Sequence, residues 1–426
     1  MTEKAQVSGG PLRERNCARV VDALRRQSMA SRSDLARITG LSRTTVGSLI
    51  AELEARSLVS EHEDDGRQPG RGRPPVFWRL QPSAGVAVGI DFDHDRVRVA
   101  LADLSSTLLE EDESEIDVDH SAGDAIGAAV ELVRTLLRAA GLAGAQVVGA
   151  GVGLPGPIDR RTGTLGSSAI LTGWAGLNVQ RELARRLELP VEVDNDANLG
   201  ALAELSLGAG RGKSNILYVR AGSGIGAGIV INGRVYEGAA GLAGEIGHVQ
   251  VRVDGAVCRC GNRGCLETVA AAEALGALLR PALGHEMSAR KIVGLVATGD
   301  LRATRVVNDA GRAIGRVLAD LCNALNPEAI VVGGELSEAG EPLLGGIREA
   351  VDRYALPGAA QVVEVLHGEL GERAAVLGAL TLVIGNTEGL SSAGIAALQE
   401  PGSAVTNGQG FVGPMARKEE AYAGTT

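Results

Sequence analysis

The stretch EIGHVQVRVDGAVCRCGNRGCLET, residues 245 to 268, decides how the whole chain is read. Three of the five cysteines, Cys258, Cys260 and Cys265, crowd together here downstream of His248, while Cys17 and Cys322 stand alone. Thiolate and imidazole ligands grouped in one loop match the Cys3His set of a closed, tetrahedral structural zinc site, which leaves no position for a catalytic water. Gly261 and Gly264 permit the tight turns that would let the three sulfurs converge. In a reducing compartment such crowding argues for metal rather than disulfide. The expected role is architectural: Zn2+ ties the loop bearing Glu245 to a helix beginning near Glu267.

On either side of this loop, strands alternate with helices. Val86, Val88 and Ile90, then Val97, Val99 and Leu101, read as two alternating strands. A helix with Ile126, Val130, Val133 and Leu137 on one side precedes a strand over 146 to 153, the turn LPGP, a helix around 177 to 187 and a strand over 191 to 193. A helix over 197 to 207 leads to strands at 216 to 220 and 225 to 231 that flank AGSG. Helices fill much of 267 to 325; a strand at 329 to 332, a helix at 343 to 354, a strand at 362 to 366 and a last helix at 372 to 383 finish the pattern. Beyond Gly389 periodicity is lost and a disordered tail is expected.

The 426 residues exceed one ordinary core, so two or three domains are expected. A hydrophobic fraction of 45% with only 2% aromatic residues and 60 glycines points to Ala, Val and Leu packing with many tight turns. Net charge of -10 seems to exclude nucleic acid until it is divided: residues 1 to 82 hold 14 basic and 10 acidic groups, leaving the remainder at -14. A basic head on an acidic body permits DNA contact by the head and disfavours phosphate binding elsewhere. No apolar run approaches the length of a bilayer span, and the residues around Glu3, Lys4 and Arg13 form no signal-peptide core, so a cytoplasmic protein with no membrane partner is expected.

The head has the rhythm of a helix-turn-helix. Val20, Val21 and Leu24 recur at helical spacing in a helix from Cys17 to near Gln27; Ser33 reads as the cap of a short second helix with Leu35 and Ile38 inward. Gly40 turns the chain, and Ser42 caps a third helix whose Val46, Leu49, Ile50 and Leu53 share a face. A Gly- and Arg-rich loop from Gly66 to Pro75 followed by Val76, Phe77, Trp78 and Leu80 completes a wing. Arg43, Thr44, Thr45 and Ser48 lie off the apolar face of the third helix, where the first turn meets base edges in a major groove. Arg71 and Arg73, in GRGRPP, suit either a minor groove or the phosphates. Paired heads on symmetric half-sites imply a homodimer or homotetramer on double-stranded operator DNA.

Together, EIGH with CRCGNRGCLE and, next in specificity, VDNDANLGALAE resemble the ROK family of repressors and sugar kinases, from residue 84 to about 388. The resemblance implies an α/β chain: a winged helix-turn-helix followed by a two-lobed actin-like ATPase fold. The head spans 1 to 82, the first lobe 83 to 200 completed by a helix at 372 to 388, the second 201 to 371 with the zinc loop, and the tail 389 to 426. It also implies that Asn195, Asp196, Glu245, His248 and Glu267 contact sugar hydroxyls, with Asp196 in the place of a kinase general base. Carboxylates suit that task, since a charged acceptor roughly doubles the strength of a hydrogen bond.

One departure separates sensor from enzyme. Family kinases place a glycine-rich, Thr-containing loop after the first Asp, whereas Asp91 is followed by Phe92, Asp93, His94 and Asp95. The expectation is that bulk and added carboxylates there exclude ATP phosphates, leaving a regulator with a carbohydrate effector and no catalytic residue; the competing expectation is a bifunctional sugar kinase with a DNA-binding head. Ile170 stands where kinases tend to have a sugar-contacting Asn before Gly173 and Trp174, so an effector other than a plain hexose is compatible.

Overall fold

The computed structural model describes residues 11–27, 29–55, 58–62, 76–81, 85–142, 147–159, 164–165, 171–284 and 287–385. The wing arginines Arg71 and Arg73, Ile170, and the tail beyond 385 lie outside them.

The head begins with α1 (Pro11–Gln27), longer at its start than the apolar spacing from Cys17 suggests, followed by β1 (Ala30–Ser31), α2 (Arg32–Thr39) and α3 (Arg43–Ala55). Ser31, not Ser33, caps α2: its hydroxyl accepts from the Asp34 N–H while Asp34 reaches back to the Ser31 N–H, a reciprocal box open to Ser31 alone because Ala36 stands three residues after Ser33. Gly40 ends α2 at φ 67°, the left-handed conformation that glycine adopts without strain. Ser42 accepts from the Thr45 N–H at 3.0 Å and starts α3, whose Val46, Leu49, Ile50 and Leu53 are buried as expected. β2 (Val59–His62) and β3 (Phe77–Leu80) close an antiparallel sheet in the order β1-β3-β2. Arg32 lies over the Trp78 ring, 4.6 Å from its centre, and pins α2 to β3.

Two five-stranded sheets of one plan make up the body. In the first, β4 (Val86–Phe92), β5 (Arg96–Asp103) and β6 (Leu108–Glu115) form an antiparallel meander, and after α4 (Ala122–Ala139) β7 (Val147–Leu154) runs parallel to β4. A small hairpin, β8 (Ile158–Asp159) and β9 (Thr164–Leu165), and then α5 (Val179–Leu187) lead to β10 (Val191–Asn195), giving the order β10-β7-β4-β5-β6. The second sheet repeats it with β11 (Ile216–Ala221), β12 (Ile225–Ile231) and β13 (Arg234–Val235), then β14 and β15, in the order β13-β12-β11-β14-β15. Between these strands run α7 (Glu267–Ala270), α8 (Ala272–Leu283), α9 (Ala289–Ala297) and the long α10 (Leu301–Leu325). β14 (Ala329–Gly333) is followed by α11 (Glu341–Tyr354), α12 (Pro357–Val362) and β15 (Glu364–His367). No helix among the described residues is long and apolar enough to cross a membrane.

Two helices exchange between the lobes. α6 (Asp196–Ser206) leaves the first sheet to pack on β11 and β12, while α13 (Ala374–Gly385) returns from the second lobe to the first sheet. Alternation along β4 explains the exchange: Val86, Val88 and Ile90 face α4, whereas Ala87 and Gly89 face α13. Added side chains at Gly89 or Gly151 would run into the carbonyls of Val376 or Ala379, so these small residues set how closely α13 can lie. Glu204, fully buried on α6, accepts from the N–H groups of Ala209 (2.8 Å), Leu370 (3.0 Å) and Glu369 (3.3 Å), tying α6 to the turn that launches α13.

Candidate functional site

In the head, the start of α3 is presented outward. Arg43 and Thr44 are exposed, whereas Thr45 is half-buried with its Oγ1 2.8 Å from Ser42 Oγ, engaged in the cap. Ser48 is exposed, but Arg13 of α1 donates to its hydroxyl at 3.3 Å and pairs with Glu52 at 2.8 Å. Of the four residues named on this helix, Arg43 and Thr44 are therefore the ones with side chains uncommitted to the helix cap or to α1.

The cysteine loop converges as its spacing suggests. His248, Cys258, Cys260 and Cys265 place one ligand atom each within 4.8 Å of all the others. Cys260 and Cys265 sulfurs are 3.7 Å apart, and Cys258 Sγ lies 3.6 Å from His248 Nδ1. Two Zn–S bonds of about 2.3 Å at a tetrahedral angle separate their sulfurs by about 3.8 Å, and a Zn–S with a Zn–N bond gives about 3.6 Å, so these two separations are those a tetrahedral zinc would impose. Gly264 sits at φ 67° with a backbone neighbour where a side chain would go, which makes glycine obligatory at that turn. With Nδ1 turned to the sulfurs, His248 Nε2 faces Glu245 at 3.8 Å. One imidazole thus joins the loop to the cleft.

Along the cleft wall, Glu245 and Glu267 stand on either side of His248. Burial, with Asp196 and Glu267 nearby, pushes the Glu245 carboxyl up to about 7. Burial also acts on Glu267, but hydrogen bonds from Arg259 (3.0 and 3.1 Å) outweigh it and hold that carboxyl below its usual range. Asn195 caps α6: its oxygen accepts from Ala197 and Asn198 N–H groups and its amide donates to the Gly156 carbonyl at 3.0 Å, so most of its capacity is structural. Asp196 lies at the first turn of α6, with Oδ1 accepting from the Ala197 N–H at 2.7 Å.

The segment after Asp91 departs from what its composition suggests. Phe92 does not obstruct the cleft: it is fully buried in the first lobe, edge-on to Trp174 at 5.1 Å, because strand alternation turns it toward the core. His94 Nδ1 lies 2.7 Å from Asp119, and Asp95, largely exposed, pairs with Arg96 at 2.9 Å. Asp93 enters the cleft, with His94 within electrostatic reach of it and of Asp196, and there meets a residue that the sequence reading passed over. Arg220, partly buried at the end of β11 in the second lobe, donates to Asp93 at 2.8 Å and lies 3.4 Å from Asp196 Oδ2. Its signal was available as the single charge in the otherwise apolar strand ILYVRA. Asp91 lies beneath this group, and burial pushes its carboxyl up to about 7. Around the rim, Arg96 reaches Glu335 (3.4 Å) and Glu372 (3.5 Å), and Arg290 reaches the same two carboxylates.

A three-helix head with a β-ribbon, joined to two repeated α/β lobes around a carboxylate-lined cleft, defines a winged-helix protein with an actin-like, kinase-type body. Residues 87–386 match the family model described as ROK family, and residues 14–68 match one described as MarR family. The chain belongs to the ROK family. It is 31% identical over 367 residues to a putative xylose repressor of a Caldicellulosiruptor species, covering 83% of this chain and 91% of that protein. A glucokinase of Thermotoga maritima is 33% identical over 310 residues, covering 70% of this chain and 96% of its own. A solved ROK family transcriptional regulator, described as a homologue of the Escherichia coli Mlc protein, superimposes with a TM-score of 0.76 at 26% identity, covering 91% of this chain and 99% of its own.

Proposed function

We propose that this protein is a sugar-responsive transcriptional repressor whose head, to about residue 82, holds operator DNA and whose body senses a carbohydrate without phosphorylating it. The observation that carries the reading is a DNA-binding head and a sugar-kinase-like cleft on one chain, an arrangement shared along nearly the full length of the xylose repressor relative. Arg43 and Thr44 read base edges; Arg71 and Arg73 of the wing hold the minor groove or phosphates. Glu245, Glu267, His248 and Asp196 accept and donate hydrogen bonds to sugar hydroxyls, with Asn195 mainly positioning α6. Zinc, held by His248, Cys258, Cys260 and Cys265, supplies rigidity and no open coordination site. Two lobes closing on a sugar alter the spacing of paired heads in a dimer or tetramer, and a coupling of typically 1 to 3 kcal/mol is enough to change operator occupancy.

Against phosphoryl transfer stand the two commitments of Asp196, to Ala197 and to Arg220, and the entry of Asp93 where a phosphate would need donors. Asp196 itself, and glucokinase relatives over the body alone, favour a second reading as a bifunctional kinase. Fluorescence anisotropy with duplexes selected from a random library, repeated with a panel of neutral sugars, tests the proposal: operator binding relieved by one sugar is expected. No duplex bound at low salt overturns it. ATP consumption dependent on a sugar and lost in Asp196→Asn would establish the second reading.

A further inference from the structure

Arg220 is the charge in the cleft that bridges the two lobes. It rises from β11 in the second lobe, crosses to Asp93 after β4 in the first, and takes Asp196 on the way. Its guanidinium is permanently charged, so the two carboxylates it touches are matched by one cation only. Asp91 lies against the same group, and one of its oxygens has no hydrogen-bond partner among the described residues. Farther along the wall stand Glu245 and Glu267, the latter matched by Arg259. Asp91, Asp93, Asp196, Glu245 and Glu267 therefore face Arg220 and Arg259, an excess of acid in a largely desolvated cleft.

The geometry points to Arg220, locked to Asp93, as the residue that sets the charge class of the effector: the cleft accepts a neutral sugar and rejects its phosphate ester. This inference rests on the sugar-responsive reading and refines it. A hydroxyl lying against Asp196 can donate to that carboxylate and accept from the guanidinium beside it. An ester at the same place would carry two negative charges toward Asp93, Asp196 and Asp91, and the guanidinium that could answer it already donates from Nη2 to Asp93 and holds Nη1 3.4 Å from Asp196. Repulsion between like charges in a site of low dielectric is a strong discriminator between a neutral ligand and its charged ester. Asp93 is the key to the selection, because it is the partner that withdraws Arg220 from the ligand. With Asp93 neutral, the same guanidinium becomes a phosphate donor.

The test uses the full chain and three probes, D-glucose, D-glucose 6-phosphate and D-glucose 1-phosphate, alongside D-xylose and N-acetylglucosamine with its 6-phosphate. Binding is read by calorimetry and operator release by anisotropy in the same samples. In the natural protein the neutral form of the sugar that acts is expected to bind at least about 100-fold more tightly than its ester. Asp93→Asn, which keeps the side-chain shape, is expected to narrow that ratio at least about tenfold by strengthening the ester, while Arg220→Gln weakens neutral and esterified forms alike. Melting curves of both variants guard against loss of fold, and Asp93→Ser repeats the test should Asp93→Asn not fold. An ester that matches or exceeds its neutral sugar, or a ratio untouched by the Asp93 variants, overturns the inference alone. Operator binding that responds to neither form of any probe overturns the sugar-responsive reading and the inference with it.

Discussion

Leu104 is a residue of the body buried in the core of the head. It lies in the turn between β5 and β6, 2% exposed, within the same packed cluster as Leu24, Trp78 and Leu80, and Val148 of β7 packs against that cluster. The turn that carries it is rigid. Asp103 Oδ1 accepts from Ser105 N (2.8 Å), Ser105 Oγ (2.6 Å) and Thr107 N (2.9 Å), so Leu104 is presented to the head as a fixed knob. Replacing it with alanine removes a buried isobutyl group and leaves a cavity at the junction, a change that costs about 2 to 5 kcal/mol in a core that relaxes only partly. The expected victim is the head. The chain has two tryptophans, Trp78 in the head and Trp174 in the first lobe, so 5-fluorotryptophan labelling gives one fluorine resonance for each part. In Leu104→Ala the Trp78 resonance should lose its native position at a urea concentration roughly 1 to 2 M below that of the natural protein, given the small surface such a head exposes on unfolding. Trp174 should move much less, and the response of operator affinity to sugar should shrink. Leu104→Met, which conserves volume, should cost under about 1.5 kcal/mol and keep the response. A Trp78 transition that stays in place, or that shifts only in step with Trp174, would refute the reasoning, because Leu104 would then belong to the lobe and not to the junction.

Three further outcomes follow from particular residues. The purified protein should carry about one zinc per chain by plasma mass spectrometry, and Cys260→Ser should lose most of it together with a marked fall in melting temperature; a metal-free wild type with an unchanged melt would exclude the zinc reading. Asp91 is pushed up to about 7 by burial, with Asp93 and Asp196 adding to it and Arg220 and Arg98 opposing. Its folded pKa thus lies above the unfolded value of 3.8, so its contribution to stability is complete below about pH 4 and lost as pH rises toward 7, by at most about 4 kcal/mol at about 1.4 kcal/mol per unit. Asp91→Asn should therefore raise the melting temperature at pH 8 and flatten its slope from pH 5 to 8; an unaltered slope contradicts the assignment. Arg43→Ala should weaken specific operator binding about 5- to 150-fold while sparing sugar binding, and a loss confined to nonspecific DNA would show that Arg43 holds phosphate rather than a base.

How far the sequence discloses the molecule depends on whether a residue's partner is near in the chain. The helix-turn-helix, the α6 cap at Asn195 and the cysteine loop are local, and their spacing carries them: the four metal donors come together as the string CRCGNRGC implies. β6 escapes that reading because LLEEDESE has no apolar alternation. It is an edge strand two of whose carboxylates are paired, Glu113 with Arg98 of the neighbouring β5 at 2.6 Å and Glu111 with Arg373, just before α13, at 2.6 Å. The segment after Asp91 misleads for a related reason. Its composition reads as bulk and charge thrust at a ligand, but pleating turns Phe92 inward, and the partner of Asp93 lies 127 residues away. Only the fold shows that the added carboxylate is answered by an added arginine.

That pairing bears on how a cleft without a triphosphate could still switch. The two lobes are joined by ion pairs of two kinds. The outer one, Arg290 with Glu372, involves a half-exposed guanidinium, and such a pair contributes about 0 to 1 kcal/mol. Arg220 with Asp93 and Arg96 with Glu335 are mostly shielded from solvent, and breaking either would leave a poorly solvated charge, which makes these the more persistent contacts. On the proposed reading the lobes rock about these inner contacts while the outer pair exchanges, a change of about 0 to 1 kcal/mol that reaches the lower end of the 1 to 3 kcal/mol that allosteric control typically uses. A kinase must close fully around its phosphates and open again each turnover. If the body is a sensor, it needs only two arrangements that differ by a few weak contacts, and the Arg220–Asp93 pair holds the lobes together in both.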